Sequence, residues 1–459
     1  MSLAAHLERP RNKGLVPPRA VTGAAGGAAC GDLVRISVSV ERGCIATAGF
    51  DASGCGCAIA AGSATVALIE GLPLLDAARV GTNAIAHELG GLSPAKRHAA
   101  ELASDALHRA LGQAARSARL QPANGRRLVA VSGGVDSAVA MLLSGSRAVG
   151  VTVELWSDAA TDGERSCCSP QAVRAARELA HGFGLPHFSL DLRDEFAAGV
   201  VEPWLAGHAA GLTPNPCVRC NGSVRLDAMI DLADRLGAQA LVTGHYARIK
   251  EGLLRVAADP TKDQSYMLAG LSPAAIGRLR FPLGDLHKSA VRELAHRHRL
   301  PVAAKPDSQD LCFLAGTARD AFLERHGGIG ERSGAIVDAD GRELGRHRGV
   351  HRYTVGQRKG LGLGGGTPLY VLGSDADANK LTVGPREALA TRSVQLRDPV
   401  LHRPRFDRVR LRYRQRPLRA SRLRDGRLEL DEPAYGVAPG QLACLMDGEL
   451  VVGHATIGR

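Results

Sequence analysis

Six residues, Ser132-Gly133-Gly134-Val135-Asp136-Ser137, put two hydroxyls, two glycines and a carboxylate into one short turn. They follow the apolar run Leu128-Val129-Ala130-Val131, which reads as a buried parallel strand, and they open Ala138-Val139-Ala140-Met141, which reads as a helix. A glycine-rich turn in that setting points backbone N–H groups and a helix N-terminus at an anion. The chemistry it suits is the cradling of phosphates by residues Ala130 to Ser137. The Gly-Lys-Ser/Thr ending of the usual phosphate loop is missing. No lysine of the loop itself is therefore expected on a terminal phosphate.

Thiols form the second set. Cys217 and Cys220 stand three apart in Asn215-Pro216-Cys217-Val218-Arg219-Cys220-Asn221, a spacing that serves a shared metal or a redox pair. Cys312 stands alone in Asp307-Ser308-Gln309-Asp310-Leu311-Cys312-Phe313. Thr243-Gly244-His245-Tyr246 closes another apolar run, and Lys262-Asp263-Gln264-Ser265-Tyr266 follows it.

SGGVDS resembles the pyrophosphate loop of ATP pyrophosphatases, enzymes that attach AMP to an oxygen and expel pyrophosphate. With NPCVRCN, TGHY, KDQSY, the Cys312-Phe313 segment and Gly356-Gln357-Arg358-Lys359-Gly360-Leu361-Gly362, the motifs resemble, in order, those of the tRNA-uridine 2-sulfurtransferases over about residues 126–459. The resemblance implies ATP and Mg2+ at residues 130–137, with Asp136 in a catalytic role. It implies an adenine contact near Val153 and Gly244 approaching the adenylate. Cys220 matches the cysteine that attacks the activated uridine or begins the exchange, and Cys312 the cysteine that carries a persulfide. Asn215, Pro216 and Cys217 would border the flipped wobble base. His245, Lys262, Asp263, Gln264, Arg412, Tyr413 and Gln441 would contact tRNA.

One departure from the family pattern matters, because many members have Asp where this chain has Cys217. Three thiolates with an open position suit a cluster holding labile sulfide. Two sulfur routes stay open: a persulfide and disulfide through Cys220 and Cys312, or a [4Fe-4S] cluster on Cys217, Cys220 and Cys312. The extra thiol leans toward the second. Adjacent Cys167-Cys168 reads as local structure.

Ala28-Ala29-Cys30-Gly31-Asp32 and Gly54-Cys55-Gly56-Cys57 resemble the N-terminal type of iron–sulfur scaffold protein over about residues 23–111. The resemblance implies Cys30, Asp32, Cys55 and His98 as ligands of a [2Fe-2S] cluster or zinc. The family's last cysteine is Ala99 here, and Cys57 lies close enough in sequence to substitute. The same domain also suits docking of a sulfur donor such as a cysteine desulfurase or a sulfur carrier.

These sites need several supporting units. A chain of 459 residues, 45% hydrophobic, can bury two to four cores. Ten cysteines, several in close pairs, do not read as a disulfide framework. No run nears the roughly 20 apolar residues of a membrane span, and residues 1–18 lack a signal core, so a cytoplasmic protein is expected. The net charge of +12 suggests a polyanion as partner. Arg408, Arg410, Arg412, Arg414 and Arg416 read as one strand face that could follow a phosphate backbone.

The expected organisation is multidomain. It comprises a disordered leader (1–22), an α+β scaffold-like unit (23–111), a linker (112–125), an α/β parallel-sheet adenylating domain (126–315), a small central β domain (316–388) and a C-terminal β-barrel that binds tRNA (389–459). Two rival functions keep some of these features. One is an adenylating synthetase for a small substrate, which would leave Cys220, Cys312 and the arginines idle. The other is a non-catalytic iron–sulfur carrier, which would have no use for an intact SGGVDS.

Overall fold

A computed structural model describes residues 2–27, 31–158, 169–307, 311–314, 316–364 and 366–459. Cys30, Cys167, Cys168 and Ser308-Gln309-Asp310 lie outside the described residues.

The N-terminal unit begins with helix α1 (Leu3–Glu8), strands β1 (Val21–Gly26), β2 (Leu33–Glu41) and β3 (Cys44–Ser53), then helices α2 (Gly56–Ile69), α3 (Leu74–Ala77), α4 (Thr82–Glu88) and α5 (Arg97–Ser117). The three strands form an antiparallel meander in the order β1-β2-β3. Helix α2 is buried on nearly every side. The segment expected to be a disordered leader is instead part of this unit. Its few apolar side chains are replaced as anchors by polar ones: His6, 1% exposed, bonds Ser63 Oγ at 2.8 Å, and Arg11 pairs with Glu70 at 2.7 Å. The expected linker is likewise helical at its start, because α5 runs on through Gly112 to Ser117.

The second unit contains β4 (Arg127–Ala130), α6 (Val135–Leu142), β5 (Ala148–Glu154), α7 (Pro170–Gly182), β6 (His187–Asp191), α8 (Arg193–Phe196), α9 (Glu202–Ala209), α10 (Pro216–Ser223), α11 (Arg225–Arg235) and β7 (Ala240–Val242). A hairpin, β8 (Arg248–Lys250) and β9 (Leu253–Arg255), comes next, then α12 (Ser265–Leu268), α13 (Pro273–Arg278), β10 (Leu279–Arg280), α14 (Lys288–Arg297) and α15 (Arg319–Gly327). Its five-stranded sheet is parallel throughout, in the order β10-β7-β4-β5-β6. Leu128 and Val129 of the central strand are fully buried, as a sheet covered on both faces requires.

Two small β units follow. β11 (Gly334–Val337), β12 (Glu343–His347), β13 (Tyr370–Asp375) and β14 (Lys380–Gly384) make a four-stranded sheet. β15 (Ala390–Leu401), β16 (Arg408–Arg410), β17 (Leu418–Arg419), β18 (Arg422–Arg424), β19 (Arg427–Tyr435), β20 (Leu442–Asp447) and β21 (Leu450–Ile457) make the last, which takes in the β8–β9 hairpin through β9 and β21. Val350–Arg352 forms a 3-10 turn between β12 and β13.

The N-terminal unit is built onto the parallel sheet. One continuous apolar core runs through both, and α5 lies between β1–β2 and the edge strand β6. His108 Nδ1 meets the His187 carbonyl at 2.8 Å, a side chain on Gly112 would collide with the Ser189 carbonyl, and Arg116 donates to the Asp191 carbonyl. These contacts align α5 with β6 in the same direction. Asp105 of α5 receives Arg177, 2% exposed, and Arg174 from α7, while Arg109 makes a two-pronged pair with Glu154. Among the described residues no helix is long and apolar enough to cross a membrane.

Candidate functional site

The SGGVDS loop sits at the carboxyl end of β4, where ligands of parallel sheets bind. Gly134 is the N-cap of α6 and Gly133 takes φ +70°, a conformation that costs glycine little. Ser137 Oγ accepts from the Ser132 amide at 3.1 Å and donates to the Gly134 carbonyl at 3.0 Å, which closes the turn. The first amides of α6 have no acceptor within the helix, the arrangement the sequence leads one to expect of an anion site. Val131 is buried beneath them, Ala130 and Val153 are half-buried at adjacent strand ends, and Val135 anchors the helix in the core.

Gly244 packs directly against the loop. A side chain there would meet the Asp136 and Ser137 backbone at 2.9 Å. The end of β7 is thereby pressed against the loop, and Gly244 shapes the cradle from behind. The residue after next, Tyr246, donates its hydroxyl to Asp136 at 2.8 Å. Burial and the Asp136 charge push that phenol's pKa well up, so it remains a donor.

A group of charges that the local sequence does not announce surrounds Asp136. Lys288 Nζ lies 2.6 and 2.8 Å from its two oxygens and 2.9 Å from Asp307 Oδ1. Asp307 also takes Lys262 at 2.8 Å and Arg292 at 2.9 Å. Burial alone would raise the Asp307 pKa, but hydrogen bonds from Lys262 and Lys288 outweigh it and hold the carboxyl at about 2. Lys305 Nζ donates to the Gly133 carbonyl at 2.9 Å. Tyr246, Lys262 and Asp307 fall within recognisable motifs. Lys288, Arg292 and Lys305 carry no local signal, since folding alone brings them to the loop.

The thiol helix is positioned by its own first residues. Asn215 Oδ1 caps α10 by accepting from Cys217 N and Val218 N, and Pro216 takes the first helical position. Cys220 is buried at 7% exposure, Cys217 is half-buried, and Cys312 is half-buried against the same apolar core as Cys220. Arg225 links this helix to β7, since it donates to Asn221 Oδ1 at 2.5 Å and to His245 Nε2 at 3.2 Å. Nε2 therefore carries no proton and Nδ1–H faces Thr243 Oγ1 at 2.8 Å. Desolvation and the Arg225 charge lower the His245 pKa to about 3, so the ring is neutral.

Several residues expected to contact tRNA face inward. Asp263, 8% exposed, accepts from Ala257 N, Ser265 and Arg410. Gln264 Oε1 takes the Tyr246 amide. Gln441 donates to the Thr213 carbonyl at 2.6 Å, bracing the approach to Asn215, and Arg412 caps the Val355 and Gly436 carbonyls. Tyr413 packs near Tyr266 and under Arg414. The arginine stripe is not one strand face. β16 holds only Arg408 and Arg410, Arg410 points to Asp263, and Arg414 breaks the extended run with φ +63°. Exposed Arg358 and Lys359 supply outward-facing charge instead, while Arg248, Lys250, Arg255 and Arg280 line a groove together with Asp285.

A separate candidate site lies in the N-terminal unit. Asp32, 3% exposed, accepts from Cys55 N at 2.8 Å and Cys55 Sγ at 3.1 Å, and His98 Nε2 is 3.3 Å away. One ligand atom of each lies within 4.8 Å of the others, and among the described residues no other trio of metal-ligating side chains meets that spacing for a single ion. A thiol, an imidazole and a carboxylate make a donor set suited to zinc or iron. Burial first, and then the bond to Asp32, raise the Cys55 pKa. Ala99 is fully buried in the core. His98 lies in the first turn of α5, one turn ahead of Glu101, which pairs with Arg174 of α7 at 3.3 Å.

Comparison with known proteins agrees with this division. Residues 2–118 match the family described as NifU-like N terminal domain, 126–316 the tRNA methyl transferase HUP domain, 320–385 the tRNA methyl transferase PRC-barrel domain, and 389–457 the aminomethyltransferase beta-barrel domain. The chain is 43% identical to the Bifunctional protein NifU/MnmA of Rubrobacter xylanophilus over 99% of its own length and 97% of the relative's. It is 43% identical to the tRNA-specific 2-thiouridylase MnmA of Thermobifida fusca over 73% of this chain and 96% of that one. It is 42% identical to the protein of the same name from Rhizorhabdus wittichii over 73% and 92%. The chain belongs to the bifunctional NifU/MnmA family.

Proposed function

We propose that the protein is a tRNA-uridine 2-sulfurtransferase that adenylates the wobble uridine and replaces its 2-oxygen with sulfur. The observation that carries the reading is the junction of three elements: the capped thiol helix α10, the strand end at His245, and the phosphate-type loop at Asp136, tied together through Arg225, Gly244 and Tyr246.

ATP is the co-substrate. Residues 132–137 hold its phosphates, and Asp136 and Asp307 are the carboxylates at hand for the Mg2+ that accompanies it. The uridine O2 attacks the α-phosphorus. The O2–P bond forms and pyrophosphate leaves with the electron pair of the broken P–O bond. The terminal sulfur of a Cys312 persulfide then attacks C2, and the C2–O2 bond breaks, so AMP departs carrying the uridine oxygen. The Cys220 thiolate attacks the Cys312 sulfur of the resulting disulfide. The pyrimidine keeps the outer sulfur as 2-thiouridine, and a Cys220–Cys312 disulfide remains for an external dithiol to reduce. Neutral His245 keeps an uncharged, hydrogen-bonding edge beside the thiol helix. Cys217, which supplies a capped amide at the start of α10, is assigned no sulfur step.

The N-terminal residues fit a metal. Asp32, Cys55 and His98 would hold iron or zinc, which on binding would keep Cys55 as a thiolate. The sulfur donor is a persulfide-bearing protein such as a cysteine desulfurase or a sulfur carrier. The test is incubation of unmodified tRNA with the full chain, ATP, Mg2+ and a persulfide donor, followed by nucleoside mass spectrometry. Formation of 2-thiouridine that disappears in both Cys220→Ser and Cys312→Ser supports the reading. Pyrophosphate release with a small substrate and no tRNA would favour an adenylating synthetase instead.

A further inference from the structure

The phosphate-type loop contains no lysine, yet two lysines from later in the chain reach it and two more cations gather on the neighbouring Asp307. Lys288 Nζ bridges both Asp136 oxygens and Asp307, and its side chain is only 11% exposed. Lys262 and Arg292 close on the other side of Asp307. Lys305 reaches the Gly133 carbonyl. Opposing them are Asp136 and Asp307, with Asp259 bonded to the backbone amide of Lys288. Four cations thus meet three carboxylates around the loop.

We infer that Lys288 is the catalytic cation for the departing pyrophosphate and that Lys305 positions the loop that receives it. The inference rests on the adenylation chemistry proposed above. When the bond between the α- and β-phosphates breaks, negative charge builds on the leaving group. A preformed positive charge facing it lowers the barrier. In the usual phosphate loop that charge comes from the lysine of the motif itself. Here the equivalent charge is delivered by the first residue of α14, 152 residues beyond Asp136. It is partly desolvated, so its field is less screened than a surface lysine's. Asp136 and Asp307 fix its position before substrate arrives, and a pre-oriented charge needs no reorganisation during the reaction. Lys305 acts differently. In a trans peptide the C=O and the following N–H point in opposite directions. Lys305, by holding the Gly133 carbonyl, directs the Gly134 N–H toward the opposite side of the loop.

The experiment is calorimetric binding of inorganic pyrophosphate, AMP and ATP with Mg2+ to the full chain, paired with single-turnover pyrophosphate release on unmodified tRNA. Lys288→Met is expected to weaken pyrophosphate binding about tenfold or more while AMP binding stays within about threefold. Its single-turnover release should fall by about 10²–10³-fold, the cost of removing one preorganised charge-stabilising donor. Lys288→Arg should recover part of the rate. Lys305→Met should raise the KM for ATP more than it lowers kcat. Unchanged pyrophosphate affinity in Lys288→Met would overturn the assignment. So would equal loss of AMP and pyrophosphate together with a lowered Tm, since that marks Lys288 as a structural counter-ion for Asp136 and Asp307. A wild-type chain that releases pyrophosphate while Lys288→Met does so at the same rate defeats this inference alone. A wild-type chain that binds neither ATP nor pyrophosphate defeats the adenylation reading with it.

Discussion

The two thiol-bearing regions of this molecule are held in different ways. At the N-terminal site one carboxylate, Asp32, organises Cys55 and His98, and the His98 side chain is 40% exposed. At the adenylation cleft the thiol helix, strand β7 and the phosphate-type loop are cross-braced by Arg225, Gly244, Tyr246, Lys288 and Lys305. The first arrangement suits a site that must exchange a metal or meet a partner, and the second a site that must hold reacting groups in register. The two regions are joined by α5, which packs against both β1–β2 and the edge strand β6.

The sharpest way to break this comparison is to remove one thiol from each region of the full chain. With a persulfide donor supplied, Cys220→Ser should lower thiolation at least about a thousandfold, the scale seen when a covalent nucleophile is lost, while tRNA binding is retained. Cys55→Ser should leave the same assay within about twofold. A large loss in Cys55→Ser would place that thiol on the sulfur path and undo the separation of the two sites.

The joint between the regions gives the next effect. Asp105→Ala strands Arg177 in the interface without its carboxylate, which should cost about 3–5 kcal/mol, read as a lower denaturant midpoint. Retention of wild-type stability would mean that the N-terminal unit is only loosely attached.

A smaller effect follows from acid. Burial lowers the pKa of His181, at the joint, and of His208, on α9 against Trp204, to about 4 from an ordinary value near 6.5. Both are depressed in the folded state, so the unfolded chain takes up protons first. Stability should therefore fall as pH drops from about 6.5 to about 4. Asp307, held at about 2, removes further stability below about pH 3.8. A flat thermal-melting profile across pH 4–6.5 would contradict the burial of these rings. The smallest effect is expected from Cys217→Asp. A carboxylate suits the first turn of α10, so thiolation should stay within about threefold. Loss of activity there would revive a sulfur step through Cys217.

The chain announces its chemistry wherever the chemistry is local. SGGVDS needs only neighbouring residues to form its turn, so it was legible. Lys288 and Lys305 were not, because their role exists only once α14 and the turn before Asp307 have folded against α6. The arginine repeat misled for a related reason. Period two marks a strand face only while the backbone stays extended, and here a three-residue strand ends at Arg410, Arg412 turns inward and Arg414 adopts a left-handed conformation. The N-terminal segment misled in the opposite sense, since its low hydrophobicity hid polar anchors such as His6 and Arg11.

Activation of the uridine oxygen by AMP is followed with tRNA carrying oxygen-18 at the 2-position of the wobble uridine, incubated with the full chain, ATP, Mg2+ and a persulfide donor. Each 2-thiouridine formed should yield one AMP bearing the label on its phosphate, and unlabelled pyrophosphate. Thiolation that leaves AMP unlabelled would contradict it.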